Sequence, residues 1–207
     1  IDSSFKINRT QLSNLNIFRN NDIRGFVTAK GELKGKITDP DISIKFNVDY
    51  PNFKGIRIRE TWEGEIKNKN DKFLLDMKNR YSSIPSFLSI KFDSNLKLDN
   101  LSFSRIFNSN KGNIEVFKEN NSYVWKANNF PLDELELSID KNQFDRIDGI
   151  INGKGSISSD QSYLDGRIAW SLGKYGNINL ANSLFDFRVK DNSFYINSSL
   201  YPIDGGI

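Results

Sequence analysis

The 207-residue sequence predicts an all-β fold. Apolar and polar residues alternate with a period of two along most of the chain, which is typical of strands with one buried face. Residues that favour turns, among them Pro40 and Pro51, separate the alternating segments. Two stretches, 98–107 and 131–144, could form short helical turns, but neither combines a capping signature with a sustained apolar stripe. We therefore expect about 13 to 15 strands and no long helix.

The N-terminal half contains the clearest alternation, in the segment 42–50. There Ile42, Ile44 and Phe46 alternate with polar residues such as Lys45, so that one face is apolar and the other charged. The same pattern recurs in the neighbouring segments. It assigns to the apolar face Val27, Leu33, Ile42, Ile44, Phe46, Val48, Ile56, Ile58, Trp62, Phe73 and Leu75.

The alternation continues to the C-terminal end through the segments 88–98, 123–127 and 135–139. In the last part of the chain it assigns to the apolar face Ile168, Trp170, Phe185 and Phe187. These four residues and the eleven of the N-terminal half are the predicted lining of any apolar groove.

Composition argues against catalysis and against nucleic-acid binding. The 29 basic and 26 acidic residues leave a formal charge of +3 and are spread along the chain, without a basic stripe for phosphate backbones. The chain has no His and no Cys, so the commonest general base and thiolate chemistry are missing. The sequence therefore predicts a protein that is not an enzyme and needs no cofactor or metal.

A weak internal repeat is visible in the positions of glycine. The segment 25–31 matches 149–155 in its glycine spacing, and Gly55 precedes Phe73 by the same interval as Gly176 precedes Phe194. We expect residues 1–207 to be a single segment of a repetitive sheet, with 25–80 and 149–200 as the repeated parts. Because the chain begins at Ile1 and ends in a glycine-rich tail, we expect it to be part of a longer protein.

An apolar sheet face has to be covered, and the predicted fold offers no helix to cover it. A sandwich, a closed barrel and a sheet bent into a trough all solve this problem, and the pattern alone does not choose among them. A trough with an open apolar wall would suit acyl chains, because each CH₂ removed from water contributes about 0.8 kcal/mol.

Four segments of the chain, taken in succession, resemble the TamB family (translocation and assembly module B) of the AsmA-like superfamily. They are YVWKANNFPLDEL at 123–135, DGIINGKG at 148–155, LDGR at 164–167 and YPIDGG at 201–206. The likeness is greatest to cyanobacterial and plastid-envelope members. The segment 25–40, with its spaced glycines and Asp-Pro turn, is similar to the same kind of unit.

The resemblance implies a long U-shaped sheet, or β-taco, of antiparallel or mixed strands around an apolar groove. It also implies a parent protein anchored in the inner membrane that spans the periplasm towards an Omp85-type outer-membrane partner. The implied role is to shelter lipid, or nascent outer-membrane proteins, during outer-membrane biogenesis and protein secretion. The family has no catalytic motif, and the anchor and partner-binding regions are not identifiable in this segment.

Three other classes of protein also have alternating strands. A structural or adhesin-like β-sandwich remains the main alternative, and it would have a filled interior. An outer-membrane barrel would show aromatic bands at both strand ends, which are missing here. A glycan-cleaving enzyme would need paired carboxylates, but Glu63 and Glu65 lie among Arg57, Arg59 and Lys67 on the charged face.

Overall fold

The computed structural model describes residues 2–14, 23–36, 39–53, 56–58, 60–69, 72–80, 82–140, 143–158, 162–190 and 193–199. The chain divides into two compact units. Unit 1 comprises Ile1–Asp99 and Glu136–Phe144, and unit 2 comprises Asn100–Leu135 and Asp145–Ile207. Some residues of the sequence patterns lie outside the described residues, namely Gly55, Arg59 and the motif at 201–206.

Strands make up nearly all of the described chain. They are β1 Asp2–Gln11, β2 Ile23–Lys36, β3 Asp39–Phe53, β4 Ile56–Ile58, β5 Thr61–Lys69, β6 Lys72–Arg80, β7 Ser86–Phe92, β8 Leu98–Phe107, β9 Asn110–Glu119, β10 Ser122–Pro131, β11 Leu135–Asp140, β12 Gln143–Ser158, β13 Tyr163–Tyr175, β14 Ile178–Asn179, β15 Ser183–Lys190 and β16 Ser193–Ser199. Within the described residues the only helical element is one 3₁₀ turn, Leu12–Asn14. The predicted all-β fold with antiparallel sheet is confirmed.

The strands of unit 1 follow one another in the order β1-β2-β3-β5-β6-β7, with β4 paired to the end of β3 and to β11. In unit 2 the order is β8-β9-β10-β12-β13-β15-β16, with β14 paired to the end of β13. Most neighbours in the sheet are thus neighbours in the chain, joined by short connections. Both stretches considered for helical turns, 98–107 and 131–144, lie mostly in strands, because pairing with neighbouring strands outweighs their weak helical spacing.

The register places the apolar residues of unit 1 on one side of its sheet. Residues directly opposite each other in an antiparallel pair point to the same side. Val27 opposes Val48, and Val48 opposes Trp62, so one apolar row crosses β2, β3 and β5. The remaining registers extend this surface, which we call apolar face 1, to Phe5, Ile7, Val27, Ala29, Leu33, Ile42, Ile44, Phe46, Val48, Trp62, Ile66, Phe73, Leu75, Met77, Leu88, Ile90 and Phe92.

Unit 2 has an equivalent apolar surface. Ile168 opposes Phe185 and Trp170 opposes Ser183, which puts these rows of β13 and β15 on one side of the sheet. The other registers extend this surface, apolar face 2, to Leu101, Phe103, Ile114, Val116, Tyr123, Trp125, Ala127, Phe130, Ile151, Ile157, Leu164, Ile168, Trp170, Phe185, Phe187, Val189, Phe194 and Ile196. The opposite sides of the strands in the two units, polar face 1 and polar face 2, bear mostly polar and charged residues.

The two units repeat the same pairing details at nearly constant offsets. Gly25 and Gly149 each have a positive φ, +131° and +115°, and each lies at a register shift between two long strands. A residue with φ of 53° lies across each shift, Tyr50 in unit 1 and Leu172 in unit 2. The strands β1, β2, β3, β4, β5 and β6 thus correspond to β10, β12, β13, β14, β15 and β16.

Candidate functional site

Two apolar sheet faces form the candidate site, and most of the predicted lining residues lie on them. Apolar face 1 carries Val27, Leu33, Ile42, Ile44, Phe46, Val48, Trp62, Phe73 and Leu75, and apolar face 2 carries Ile168, Trp170, Phe185 and Phe187. Ile56 and Ile58 lie instead on the short strand β4, and Ile56 is exposed. The sequence pattern joined them to Trp62, whereas the structure begins the separate strand β5 at Thr61.

One end of apolar face 1 is filled by the chain itself. The 3₁₀ turn inserts Leu12 against Val27, Ala29 and Val48, all of which are buried, and Phe46 packs against this cluster. Trp62 lies in the same row as Val48 and is also buried. This end of the face therefore has the packing of an ordinary core.

The other end of apolar face 1 is only half buried. Its rows contain Leu33 and Ile42 on β2 and β3, and Ile66, Leu75 and Ile90 on β5, β6 and β7. These side chains are branched and apolar, they stand side by side on the same face, and each keeps part of its surface accessible. This end of the face thus offers apolar area that unit 1 leaves accessible.

Aromatic rings on both faces lie over glycines of the neighbouring strand. In unit 1 the ring of Phe5 covers Gly31, and a β-carbon on Gly64 would lie 2.6 Å from Cζ of Phe46. Because glycine has no side chain, an aromatic ring of the neighbouring strand can lie directly on the backbone at these positions. The result is a broad apolar surface of low relief.

The largest of these rings is the indole of Trp125 on apolar face 2. A β-carbon on Gly155 or on Gly166 would collide with this indole, and its Nε1 donates a hydrogen bond to the carbonyl oxygen of Asp165 at 3.2 Å. The ring of Phe187 stacks beside it with a centroid distance of 6.0 Å and an interplanar angle of 21°. Trp125 was not among the predicted lining residues. The glycines at 153 and 155 are the feature of the sequence from which a large neighbouring side chain could have been predicted.

A second indole, that of Trp170, is held in the same way. Its Nε1 donates a hydrogen bond to the carbonyl oxygen of Asp148 at 3.0 Å, and its ring lies 6.3 Å from that of Phe185. A β-carbon on Gly149 would lie 2.6 Å from this Nε1. The polar atom of each indole is therefore satisfied by backbone, and the hydrocarbon of the ring forms the surface of the face.

Two buried ionic side chains were not predicted from the sequence. Arg105 is 1% exposed on the apolar side of unit 2 and donates a hydrogen bond to the carbonyl oxygen of Pro131 at 2.8 Å. Glu136 is 5% exposed in unit 1, and its Oε2 lies 2.5 Å from Nε of Arg57. Arg105 occupies an apolar position of the alternation, two residues after Phe103, whereas Glu136 alternates with Leu135 and Leu137. Only the tertiary contacts show that both are buried and which polar groups compensate their charge.

The polar faces also contain depressions. One of about 670 Å³ on unit 1 is bordered by the side chains of Lys6, Lys30, Lys45, Lys78, Glu63, Glu65 and Asp76. One of about 1020 Å³ on unit 2 is bordered by Lys126, Lys154, Arg167, Arg188, Lys190, Asp165, Asp186 and Tyr195. Of the predicted lining residues, Phe46 and Phe187 border these depressions, and the others lie away from them.

Ion pairs and hydrogen bonds organise the polar faces. Glu63 pairs with Lys78 at 3.1 Å and Glu65 with Lys67 at 2.7 Å, so these two carboxylates lie in a solvated network of opposite charges. In unit 2, burial would raise the pKa of the Asp165 carboxyl, but hydrogen bonds from Ser156 and Tyr163 and the charge of Arg188 bring the pKa below its ordinary value.

Comparisons with family models, with curated proteins and with solved structures found no match for this chain. Within the described residues, no helix has the length and apolar character needed to cross a membrane. The described residues also contain no group of three or more His, Cys, Asp or Glu side chains that could hold a metal ion. The resemblance to the TamB family and the predicted groove remain predictions.

Proposed function

We propose that this chain binds the acyl chains of lipids on its apolar sheet faces, as a non-catalytic segment of a TamB-like protein. The observation that carries the proposal is the half-buried end of apolar face 1, where branched side chains of five strands stand in two adjacent rows. Leu33 and Ile42 form one row, and the other runs from Ile44 through Ile66 to β6 and β7. Apolar surface of this kind on a protein commonly marks an interaction site.

The flat arrangement of rings over glycines supports a lipid rather than a protein side chain as the occupant. A lipid tail is long and has no hydrogen-bonding groups, so it needs apolar area without pockets or polar anchors. Trp125 and Trp170 direct their Nε1 groups to backbone carbonyls, which leaves only ring hydrocarbon at the surface. Lipid on such a surface can slide between equivalent positions without breaking specific contacts.

In the wider proposal, the parent protein is anchored in the inner membrane and spans the periplasm as a β-taco with an apolar groove. It contributes to outer-membrane biogenesis by moving lipid, or by sheltering nascent outer-membrane proteins, towards an Omp85-type partner. These statements rest on the sequence resemblance together with the all-β fold and the apolar faces. A structural or adhesin-like β-domain is the alternative, and lipid binding separates the two.

The lipid proposal is tested by a matched pair of neighbouring leucines on β6. Leu75 opposes Ile66 and Ile90 on apolar face 1, whereas Leu74 opposes Lys67 and Lys91 on the polar face. Both side chains are half buried. We expect Leu75→Gln to lower affinity for a fluorescent phospholipid about tenfold, because a leucine contributes on the order of 1.4 kcal/mol to such a contact. Leu74→Gln should leave it nearly unchanged.

The measurement is a fluorescence titration of each purified variant with the labelled phospholipid, together with native mass spectrometry for lipid retained from the expression host. Circular dichroism and urea unfolding of the same samples identify any variant that fails to fold. The proposal would be contradicted if the wild-type protein carried no lipid and did not bind the probe. It would also be contradicted if both leucine variants lost affinity for the probe equally.

A further inference from the structure

Polar face 2 contains a row of three cations on neighbouring strands. Lys126 opposes Lys154, and Lys154 opposes Arg167, so the three side chains stand side by side on β10, β12 and β13. Side chains directly opposite in a sheet have Cβ atoms about 5 Å apart, and like charges at that spacing are destabilising. Carboxylates stand at both ends of the row, Glu115 opposite Lys126 and Asp186 opposite Arg167, so Lys154 alone has a cation on each side. An anion lying against the middle of the row would relieve this repulsion.

Two carboxylates border the same depression, and both are already engaged. Arg167 donates to the two carboxylate oxygens of Asp186 at 2.6 and 3.1 Å. Asp165 accepts hydrogen bonds from the hydroxyl of Ser156 at 2.6 Å and from that of Tyr163 at 3.2 Å. The carboxylates thus compensate only part of the positive charge around the depression.

The remaining cations lack a carboxylate within ion-pair distance. The ammonium of Lys126 lies 5.1 Å from the ring centroid of Phe117, which orients it without neutralising it. Lys154 and Lys190 form no ion pair with any residue that the structure describes, and Arg188 stands opposite Asp165 without forming an ion pair with it. All three cations are exposed. Five cations and two carboxylates around about 1020 Å³ give the depression a net positive charge.

The equivalent depression of unit 1 is bordered by nearly equal numbers of positive and negative side chains. Lys6, Lys30 and Lys45 form the corresponding row, each directly opposite the next. Like the row of unit 2, which ends at Asp186, this row ends at a carboxylate, since Glu65 opposes Lys45. Four cations around this depression face three carboxylates. Both units thus have the row, but the residues around the depression carry a larger excess of cations in unit 2, where five cations face two carboxylates, than in unit 1.

We propose that the depression on polar face 2 is a binding site for a ligand that carries two or more phosphate groups. Phosphate oxygens form short, charge-assisted hydrogen bonds with lysine and arginine. A ligand with several phosphates engages cations of neighbouring strands at the same time, whereas a single anion relieves only one contact of the row. The hydroxyl of Tyr195, at the border of the depression, is a further donor. The cationic side chains of this site lie on the opposite side of the strands from apolar face 2, although Phe187 and Ile196 of that face also border the depression. The site does not depend on lipid-tail binding.

The test is isothermal titration of the intact chain with pyrophosphate and with inorganic phosphate at low ionic strength. We expect pyrophosphate to bind more tightly than phosphate, and added salt to weaken it. Lys154→Gln should lower affinity for pyrophosphate about fivefold, the effect of roughly one exposed charge pair. Its counterpart in unit 1, Lys30→Gln, is the matched control and should bind as the wild type does.

A second variant has an expected effect of opposite sign. Asp186→Asn frees Arg167 from its carboxylate partner and should raise affinity for pyrophosphate about fivefold. Loss of fold cannot produce tighter binding, so this variant keeps the test decisive if Lys154→Gln proves unstable. The proposal would be overturned if neither Lys154→Gln nor Asp186→Asn changed the affinity for pyrophosphate. Equal losses of affinity in Lys154→Gln and Lys30→Gln would also overturn it.

The source of the phosphates is distinguished with vesicles. Sedimentation with cardiolipin vesicles but not with phosphatidylcholine vesicles, lost in Lys154→Gln, would identify the ligand as a diphosphate lipid headgroup. Pyrophosphate binding without sedimentation would identify a soluble phosphorylated ligand. Binding of neither probe by the wild-type chain would overturn the site.

Discussion

At the scale of single residues, Asp165 shows how local hydrogen bonding sets a charge on the sheet. Its Oδ1 accepts hydrogen bonds from the backbone N–H of Ser156 at 2.9 Å and from the hydroxyl of Ser156 at 2.6 Å. Burial opposes the charged form, but these bonds outweigh burial and leave the pKa of Asp165 below its ordinary value of 3.8. The carboxylate therefore contributes stability above that value, and this contribution is lost as pH falls through the lower pKa of the folded state.

Asp165→Asn should therefore change how unfolding depends on pH. Between neutral pH and a pH of about 3, we expect the free energy of unfolding to decrease more in the wild type than in the variant. Only the wild type has this carboxylate to protonate. Urea unfolding at the two pH values measures the difference. Ser156→Ala, which removes one of the donors, should shift the result in the same direction. Parallel pH profiles for all three proteins would show that Asp165 has no such role.

At the scale of strands, glycines determine where the large rings lie. The sequence shows glycine at alternate positions 153 and 155, and again at 166, within otherwise apolar alternation. The structure gives the reason, since the Trp125 indole occupies the space that side chains at Gly155 and Gly166 would fill. When only apolar residues are counted, these glycines interrupt the alternation, and the count gives no sign of the Trp125 ring that covers Gly155 and Gly166.

Gly166→Ala should be destabilising by about 1 to 3 kcal/mol, the usual cost of overpacking, because the new methyl group would collide with Trp125 and lie 3.0 Å from Cζ of Phe187. The check is a double-mutant cycle by urea unfolding. In a Trp125→Leu background the same change should cost much less, since the colliding ring is gone. Equal costs in the two backgrounds would mean that the indole does not lie over Gly166.

The short strands show where the sequence pattern was insufficient. Ile56, Ile58 and Trp62 fit one alternating run, yet the structure divides them between β4 and β5. The same division recurs in unit 2, where Ile178 on β14 pairs with Tyr175 as Ile56 pairs with Phe53. A register shift beside Gly25 and Gly149 changes the local strand pairing in both units. Counting residues with a period of two cannot detect such a shift.

At the scale of the whole molecule, each sheet separates two chemistries onto opposite sides. Because period-two alternation sends neighbouring side chains to opposite faces, the side chains that would bind a ligand on one face differ from those that would bind one on the other. The proposed lipid surface and the proposed phosphate site should therefore be independent. We expect Leu75→Gln to leave pyrophosphate affinity unchanged, and Lys154→Gln to leave affinity for the labelled phospholipid unchanged.

Titrating each variant with both probes measures this independence. Loss of both ligands from either variant, with circular dichroism unchanged, would show that the two sites are coupled or share a surface. Loss of both ligands together with loss of structure would instead place the altered residue among those that hold the sheet together.

The sequence by itself determined the fold class and the division into faces. Alternation is a local property that follows directly from the geometry of a strand, so the spacing of Ile42, Ile44, Phe46 and Val48 is enough to place them on one side. The glycine spacing also indicated a repeat, whose counterparts in the two units share equivalent register shifts.

Only the tertiary structure decided which side chains meet. Lys126, Lys154, Arg167 and Lys190 are dispersed in the sequence among residues of both charges, and they gather on one surface because β10, β12, β13 and β15 are neighbours in the sheet. Burial of Arg105 and the position of Leu12 against Val27 and Val48 depend likewise on contacts between distant parts of the chain. Strand geometry is encoded residue by residue, whereas register and long-range packing depend on the whole sheet.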